Sequence, residues 1–305
     1  MPLSTAVPPF QLSFSPPGSG GRDGIPARVL AGPATELILP DVDAKAADAD
    51  LTWYRSGSGD GALLAGLATA RAGEDLEAAA HRLYTLICSR TSELHLYRMW
   101  NYVPRINALE HGLENYQRFC RGRSLAFEEA LGPGFARRLP AASAVGLPAG
   151  RLTVAFLAGA VAPAAVESPV QIPAFEYPAQ YGPRPPSFSR ATVVESPRRR
   201  AVYVSGTAAI RGHATVAAHD IEGQLACTIE NLASIAQAAG AALQTRGWSR
   251  RFKVYLRHAS DLARVRGRLE AEGFDRDAAL QYLEADLCRS DLDVEIEAVL
   301  TREAG

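Results

Sequence analysis

Between Asp220 and Ala239 the apolar residues Ile221, Leu225, Ile229, Leu232, Ile235 and Ala236 recur at helical spacing, which predicts one amphipathic helix closed by Gly240. Before it, Arg200-Ala-Val-Tyr-Val-Ser-Gly206 is rich in β-branched and aromatic residues and reads as a strand ending in a turn. After it, Arg251-Phe-Lys-Val-Tyr-Leu-Arg257 alternates with period two, as a strand does. Leu262 to Glu272 reads as a second helix stopped by Gly273, and Leu292 to Leu300 as a final strand of alternating acidic and apolar residues. The first half repeats this order. Gly61 to Ala65 matches the first strand, Asp75 to Ser89 the first helix, Leu94 to Val103 the middle strand, Leu113 to Leu131 the second helix and Leu152 to Leu157 the last strand. Prolines recur every few residues from Pro163 to Pro186 and separate the halves. The expectation is an α/β (α+β) fold of two β-α-β-α-β units, each with two helices on one face of a sheet. Residues 1–160 form the first unit, 161–190 the proline-rich connection and 191–305 the second. The Pro, Gly and Ser content of the first forty residues predicts partial disorder there.

Composition narrows the function classes. The 305 residues carry a formal net charge of -1, without the basic footprint of a nucleic-acid or membrane-surface protein. No apolar run approaches the ~20 residues of a membrane helix, and the longest, Leu152 to Val166, is broken by Gly159 and Pro163. The N-terminus has no basic and apolar succession typical of a secretory signal. The four cysteines (Cys88, Cys120, Cys227, Cys288) are widely spaced and form no CxxC pair, so free thiols in the cytoplasm are expected rather than disulfides or zinc. GxSxG, P-loop and dinucleotide motifs are all missing, and no metal or cofactor is implied.

Three segments of the second half resemble the RidA/YjgF family in order and spacing. They are Asp220-Ile-Glu-Gly-Gln-Leu-Ala-Cys-Thr-Ile-Glu-Asn-Leu232, Phe252-Lys-Val-Tyr-Leu-Arg-His-Ala-Ser-Asp-Leu262 and Asp293-Val-Glu-Ile-Glu-Ala298, preceded by an entry segment, Tyr181 to Ala191. One position departs. RidA-type imine deaminases carry a carboxylate-binding arginine where Leu280 stands, so the bidentate partner of a deaminase substrate is gone. In the first half, Arg98-Met-Trp-Asn-Tyr-Val-Pro-Arg-Ile-Asn107 and Gly112 to Arg123 are similar to the chorismatases, a family of two RidA-like units that cleaves the enolpyruvyl ether of chorismate. The resemblance implies chorismate as substrate, pyruvate as one product and, from the RidA-like units, association around a threefold axis.

The chemistry needs an acid that protonates the terminal methylene of the enolpyruvyl group, and the resemblance assigns that role to Glu295. Strand alternation puts Glu295 and Glu297 on one face and Val294, Ile296 and Ala298 on the other. By pattern alone a strand glutamate is as readily a solvated or salt-bridged residue. If Leu152-Thr-Val-Ala-Phe156 aligns with Val294 to Ala298, Thr153 occupies the place of Glu295 and the first unit lacks the acid. A dianionic substrate calls for arginines, and Arg105, Arg118 and Arg257 are the candidates, Arg118 having an ion pair with Glu114 as its plain alternative. Tyr181 is a candidate hydroxyl donor, against packing on the proline-rich segment; Arg184 and Arg190 are weaker candidates. Cys288 lies seven residues before Glu295, as in the 3-hydroxybenzoate-forming chorismatases, although a buried cysteine is commonly plain apolar filler. Ala208, in Ser205 to Ala209, is a second candidate determinant of product. His213 and His258 stand as alternative acids. The resemblance implies 3-hydroxybenzoate as the ring product, in some members of the family accompanied by 4-hydroxybenzoate; the alternatives are hydrolysis to a dihydroxycyclohexadiene carboxylate and a non-catalytic RidA-like binding protein.

Overall fold

A computed structural model of the chain describes residues 7–17, 24–57, 61–244, 247–276 and 278–303; the rest of the Pro/Gly/Ser-rich start lies outside these. Four short strands come first: β1 (Phe10–Phe14), β2 (Gly24–Ile25), β3 (Arg28–Ala31) and β4 (Thr35–Leu39). The first unit follows as β5 (Ala44–Ala47), β6 (Leu51–Ser56), β7 (Leu63–Thr69), α1 (Leu76–Arg90) and β8 (His95–Pro104). A small hairpin, β9 (Leu109–Glu110) and β10 (Leu113–Glu114), leads into α2 (Asn115–Leu131), β11 (Ala141–Leu147) and β12 (Thr153–Gly159). The second unit runs β13 (Ala164–Val166), β14 (Ala191–Glu195), β15 (Arg199–Thr207), the hairpin β16 (Ile210–Arg211) and β17 (Ala214–Thr215), and α3 (Ile221–Ala238). It ends with β18 (Ser249–Leu256), α4 (Leu262–Ala271), β19 (Ala278–Glu284) and β20 (Val294–Glu303).

Local chemistry sets the helix starts. Asp75 caps α1 by accepting hydrogen bonds from the Glu77 and Ala78 amides, and at the head of α2 the Gln117 side chain accepts from the Glu114 amide.

The two large sheets share one topology. Their strand orders are β5-β6-β7-β12-β8-β11 and β13-β14-β15-β20-β18-β19, with β3 added beyond β19. In each, the strand after the second helix pairs parallel to the strand between the helices, and the last strand inserts antiparallel in the middle. The fold is mixed α+β, with two helices on one face of each mixed sheet. The expected β-α-β-α-β unit was short of strands, because β11 and β19 also belong to it, as do β6 and β14. β11, Ala-Ala-Ser-Ala-Val-Gly-Leu, is buried along its whole length, so it shows no alternation, and its small residues carry little strand propensity.

Three apolar clusters follow from this layering. One lies between α1, α2 and the first sheet, with Leu83, Tyr84, Met99 and Phe156; another lies between α3, α4 and the second sheet, with Leu225, Leu232, Val254 and Ile296. The third joins the inner faces of the sheets through Trp100, Tyr102, Tyr255 and Leu283, and β1 inserts Phe10, Leu12 and Phe14 into it. The described part of the first forty residues is therefore ordered. Phe-Gln-Leu-Ser-Phe alternates buried and less buried positions, and each large apolar side chain withdrawn from water contributes about 1.5–3 kcal/mol. No helix among the described residues is long and apolar enough to cross a membrane.

Candidate active site

The alternation of β20 sends Val294, Ile296 and Ala298 into the cluster under α3 and α4, and turns Glu295 and Glu297 to the inner side. Both carboxylates are buried, yet their surroundings differ. Glu297 accepts hydrogen bonds from Arg98 (2.7 Å), the Trp100 indole (2.8 Å), Lys253 (3.0 Å), the Tyr255 hydroxyl (3.0 Å) and Ser143. Burial alone would raise its pKa, but the Lys253 ammonium and the Arg98 guanidinium outweigh that and hold it well below the usual carboxylate range. Glu295 accepts no hydrogen bond from a described residue. Burial first, and then repulsion from Glu297, push its pKa up to about 8, against the smaller pull of Arg98 and Arg190. Two residues apart on one strand, one group is a fixed anion and the other a neutral acid at pH 7.

Glu295 opens on a cavity of about 410 Å³, within the range of small-molecule sites. Gly206 on β15 makes room for it, because a Cβ there would lie 1.9 Å from Glu295 Oε1. Of the residues expected from sequence, Glu295, Cys288, Tyr181 and Ala208 line this cavity together. Burial, followed by the neighbouring Glu295, pushes the Cys288 thiol up to about 12, so it is a thiol and not a thiolate at neutral pH. The Tyr181 hydroxyl and His213 Nδ1 are 3.1 Å apart.

The three expected arginines do not line the cavity. Arg105 is largely exposed and pairs with Glu110. Arg118 is buried but held by Asp75, Glu110 and Asn115, so the pair foreseen with Glu114 is replaced by contacts across to α1 and the β9–β10 hairpin. Arg257 pairs with Asp286 at 2.5 Å and donates to the carbonyls of Leu292 and Arg289, which makes it a brace for the loop before β20. Arg184 pairs with Glu128, and His258 is exposed, 3.8 Å from Asp293.

The cations lining the cavity are Arg190 and Arg289. Arg190 donates to the Ile172 carbonyl and the Tyr177 hydroxyl, and its Nε has no hydrogen-bond partner among the described residues. Arg289 donates to Thr215 and the His213 carbonyl, with its guanidinium 4.1 Å from the centre of the Tyr181 ring. Neither has a carboxylate within 4 Å among the described residues. By residue pattern alone Arg190 is a weak candidate, and Arg289 carries no signal beyond adjoining Cys288. Arg98 and Lys253 are likewise absent from the sequence expectations, and the signal that could find them is a cation on the same strand face as a large aromatic, Trp100 and Tyr255 respectively.

Strand pairing also compares the two units. Glu295 is opposite Tyr255 and Glu297 opposite Lys253, while Thr153 is opposite Tyr102 and Ala155 opposite Trp100. Ala155 thus lies on the inner side of the first sheet, opposite in strand alternation to Val154 and Phe156 under the helices, as Glu295 and Glu297 lie opposite to Val294 and Ile296.

Residues 43–158 match the family profile described as Chorismatase FkbO/Hyg5-like, N-terminal. A 3-hydroxybenzoate synthase of Streptomyces hygroscopicus is 39% identical over 229 residues, which are 67% of this chain and 63% of that protein, so the match stops short of two thirds of its length. A chorismatase of the same organism is 37% identical over 268 residues, covering 83% of this chain and 75% of the relative. A crystal structure of a chorismatase superposes with a TM-score of 0.77 at 34% identity, covering 87% of this chain and 82% of that one.

Proposed function

The chain belongs to the chorismatase family, and on that premise we propose that it cleaves the enolpyruvyl ether of chorismate to pyruvate and 3-hydroxybenzoate. The observation that carries the reading is Glu295: a buried carboxyl without a hydrogen-bond partner among the described residues, with a pKa raised to about 8, lining a cavity with two arginines whose guanidinium groups form no salt bridge to a described carboxylate. Such a group is still protonated at pH 7 and can deliver its proton to carbon. Arg190 and Arg289 hold the two substrate carboxylates, the role the sequence had suggested for Arg105, Arg118 and Arg257.

Glu295 transfers its proton to the methylene carbon, giving an oxocarbenium-like centre. The ring carbon–oxygen bond then breaks as the ring hydroxyl oxygen displaces pyruvate, and the proton that hydroxyl loses restores the acid. The epoxide so formed opens at the carbon that first bore the hydroxyl, and the hydrogen on the attacked ring carbon leaves as a proton while the oxygen takes one up, which aromatises the ring to 3-hydroxybenzoate. The atoms of chorismate divide between pyruvate and hydroxybenzoate with no water consumed. Cys288 and Ala208 bound the ring side of the cavity and influence the product. In this reading residues 191–305 carry the acid, the connection 161–190 supplies Tyr181, and the first unit, 1–160, closes the cavity with α2 through Tyr116. The cytoplasm is the proposed compartment, on the strength of four free cysteines. Sedimentation tests the implied homotrimer.

Incubation with chorismate, read by lactate dehydrogenase for pyruvate and by chromatography for the ring product, tests the proposal. Stoichiometric pyruvate and 3-hydroxybenzoate are expected. A dihydroxycyclohexadiene carboxylate in place of 3-hydroxybenzoate points to hydrolysis, and no pyruvate at all points to a binding protein.

A further inference from the structure

Glu297 is not the end of the buried charge cluster. Lys253, which donates to it, also forms an ion pair with Glu36 on β4, and the Lys253 and Glu36 side chains are only 3% and 11% exposed. Glu36 lies in the N-terminal segment from which the sequence predicted no element, and ahead of the residues matched by the family profile. Register places it there: β4 pairs with β1, whose Phe14 ring lies 5.3 Å from the Lys253 ammonium.

The cluster balances. Arg98 and Lys253 bring two positive charges, and Glu297 and Glu36 two negative ones. Removing Glu36 leaves a buried excess of one positive charge beside a carboxyl that has no hydrogen-bond donor among the described residues. In a low-dielectric interior that excess favours the ionised form of a neighbouring neutral acid, and Glu295 ionises most readily of those around the cluster, since burial holds the Tyr102 and Tyr255 hydroxyls far above it. The charged or titratable groups facing that acid come from every element around it. They are Glu297 on β20, Tyr255 on β18, Arg98 on β8, Arg190 ahead of β14 and Cys288 in the preceding loop. Glu114, Tyr116, Tyr177, Tyr181, Asp291 and Arg289 line the same cavity. Of the cations, Arg98 and Lys253 are held by carboxylates, and Lys253 is shared between Glu297 and Glu36.

We propose that Glu36 is a positioning residue for the acid, which by holding Lys253 in an ion pair keeps the cluster neutral and Glu295 protonated at neutral pH. The inference rests on the reading of Glu295 as the proton donor. It extends the site to a strand that does not line the cavity, and it gives the N-terminal segment a role in the chemistry as well as in packing.

Glu36→Gln is close in shape and removes only the charge. The test compares kcat against pH for wild type, E36Q and the doubly neutralised E36Q/K253M. In E36Q the basic limb is expected about one pH unit lower, the low end of the effect of one nearby uncompensated charge, so that kcat at pH 8 falls several-fold more than at pH 6. In E36Q/K253M, where the charge balance is restored, the limb returns towards its wild-type position. A limb that stays in place in E36Q overturns the inference, whatever happens to the plateau rate, because lost packing lowers the rate at every pH alike. Infrared titration of the Glu295 carboxyl, assigned by difference with E295Q, reads the same shift without turnover. Wild-type protein that releases no pyruvate would therefore count against the proposed reaction and leave this second readout to decide the role of Glu36.

Discussion

Gly206 faces Glu295 so closely that one methyl group tests how firmly the acid is held. In Gly206→Ala the new Cβ would stand 1.9 Å from Glu295 Oε1, 2.7 Å from its Cδ and 3.1 Å from Ser143 Oγ. A carbon and a carboxylate oxygen need roughly 3.2 Å or more, near the usual contact distance between heavy atoms, so the carboxyl must retreat by about 1 Å. Ser143 is fixed by its hydrogen bond to Glu297, so the Glu295 carboxyl, the free end of a flexible side chain beside the cavity, is the group that moves. Misplacement on that scale costs on the order of 100-fold in rate, while overpacking of this kind destabilises by about 1–3 kcal/mol. The expected outcome is a kcat near one hundredth of wild type with KM changed much less, since Arg190 and Arg289 are untouched. Pyruvate release coupled to lactate dehydrogenase gives both constants, and a thermal melt confirms that the variant is folded. A kcat within twofold of wild type would refute the reasoning, since it would mean that the acid's position does not matter or that Glu295 is not the acid.

Arg289→Ala should raise KM for chorismate about 10- to 100-fold by removing a charge-assisted contact, whereas Arg105→Ala, at an exposed residue paired with Glu110, should change it less than twofold; steady-state kinetics on both variants checks the reassignment. Because the Glu295 pKa is raised, the protonated form is full at low pH and is lost as pH rises through about 8, so kcat should fall tenfold per unit above that value, and a rate still level at pH 9 would count against Glu295 as the donor. Cys288→Ala, at the cavity wall beside Glu295, should redistribute the ring products while leaving total pyruvate within about threefold of wild type, as read by chromatography.

Much of this was legible in the chain, for reasons that can be named. The helix stripes at Ile221 to Ala236 and Leu76 to Ile87 are long and periodic, and the Val-Glu-Ile-Glu alternation put both carboxylates on one face. What pattern could not supply was which carboxylate meets cations. That depends on Arg98 from the other sheet and Lys253 from the neighbouring strand, brought together only by tertiary packing. The same limit misdirected the arginines. Arg118 and Arg257 have the residue type a dianion needs, but Asp75 and Asp286 reach them first. β1 escaped notice because its five residues sit among prolines, glycines and serines, although Phe10, Leu12 and Phe14 keep a clean period of two.

The central claim is that one carboxyl, Glu295, supplies the proton to carbon. Glu295→Gln preserves the shape of the side chain and removes its acid. The account predicts that this variant binds chorismate within a fewfold of wild-type affinity by calorimetry and releases no pyruvate above the uncatalysed background. Pyruvate release at the wild-type rate from a folded E295Q protein would contradict it.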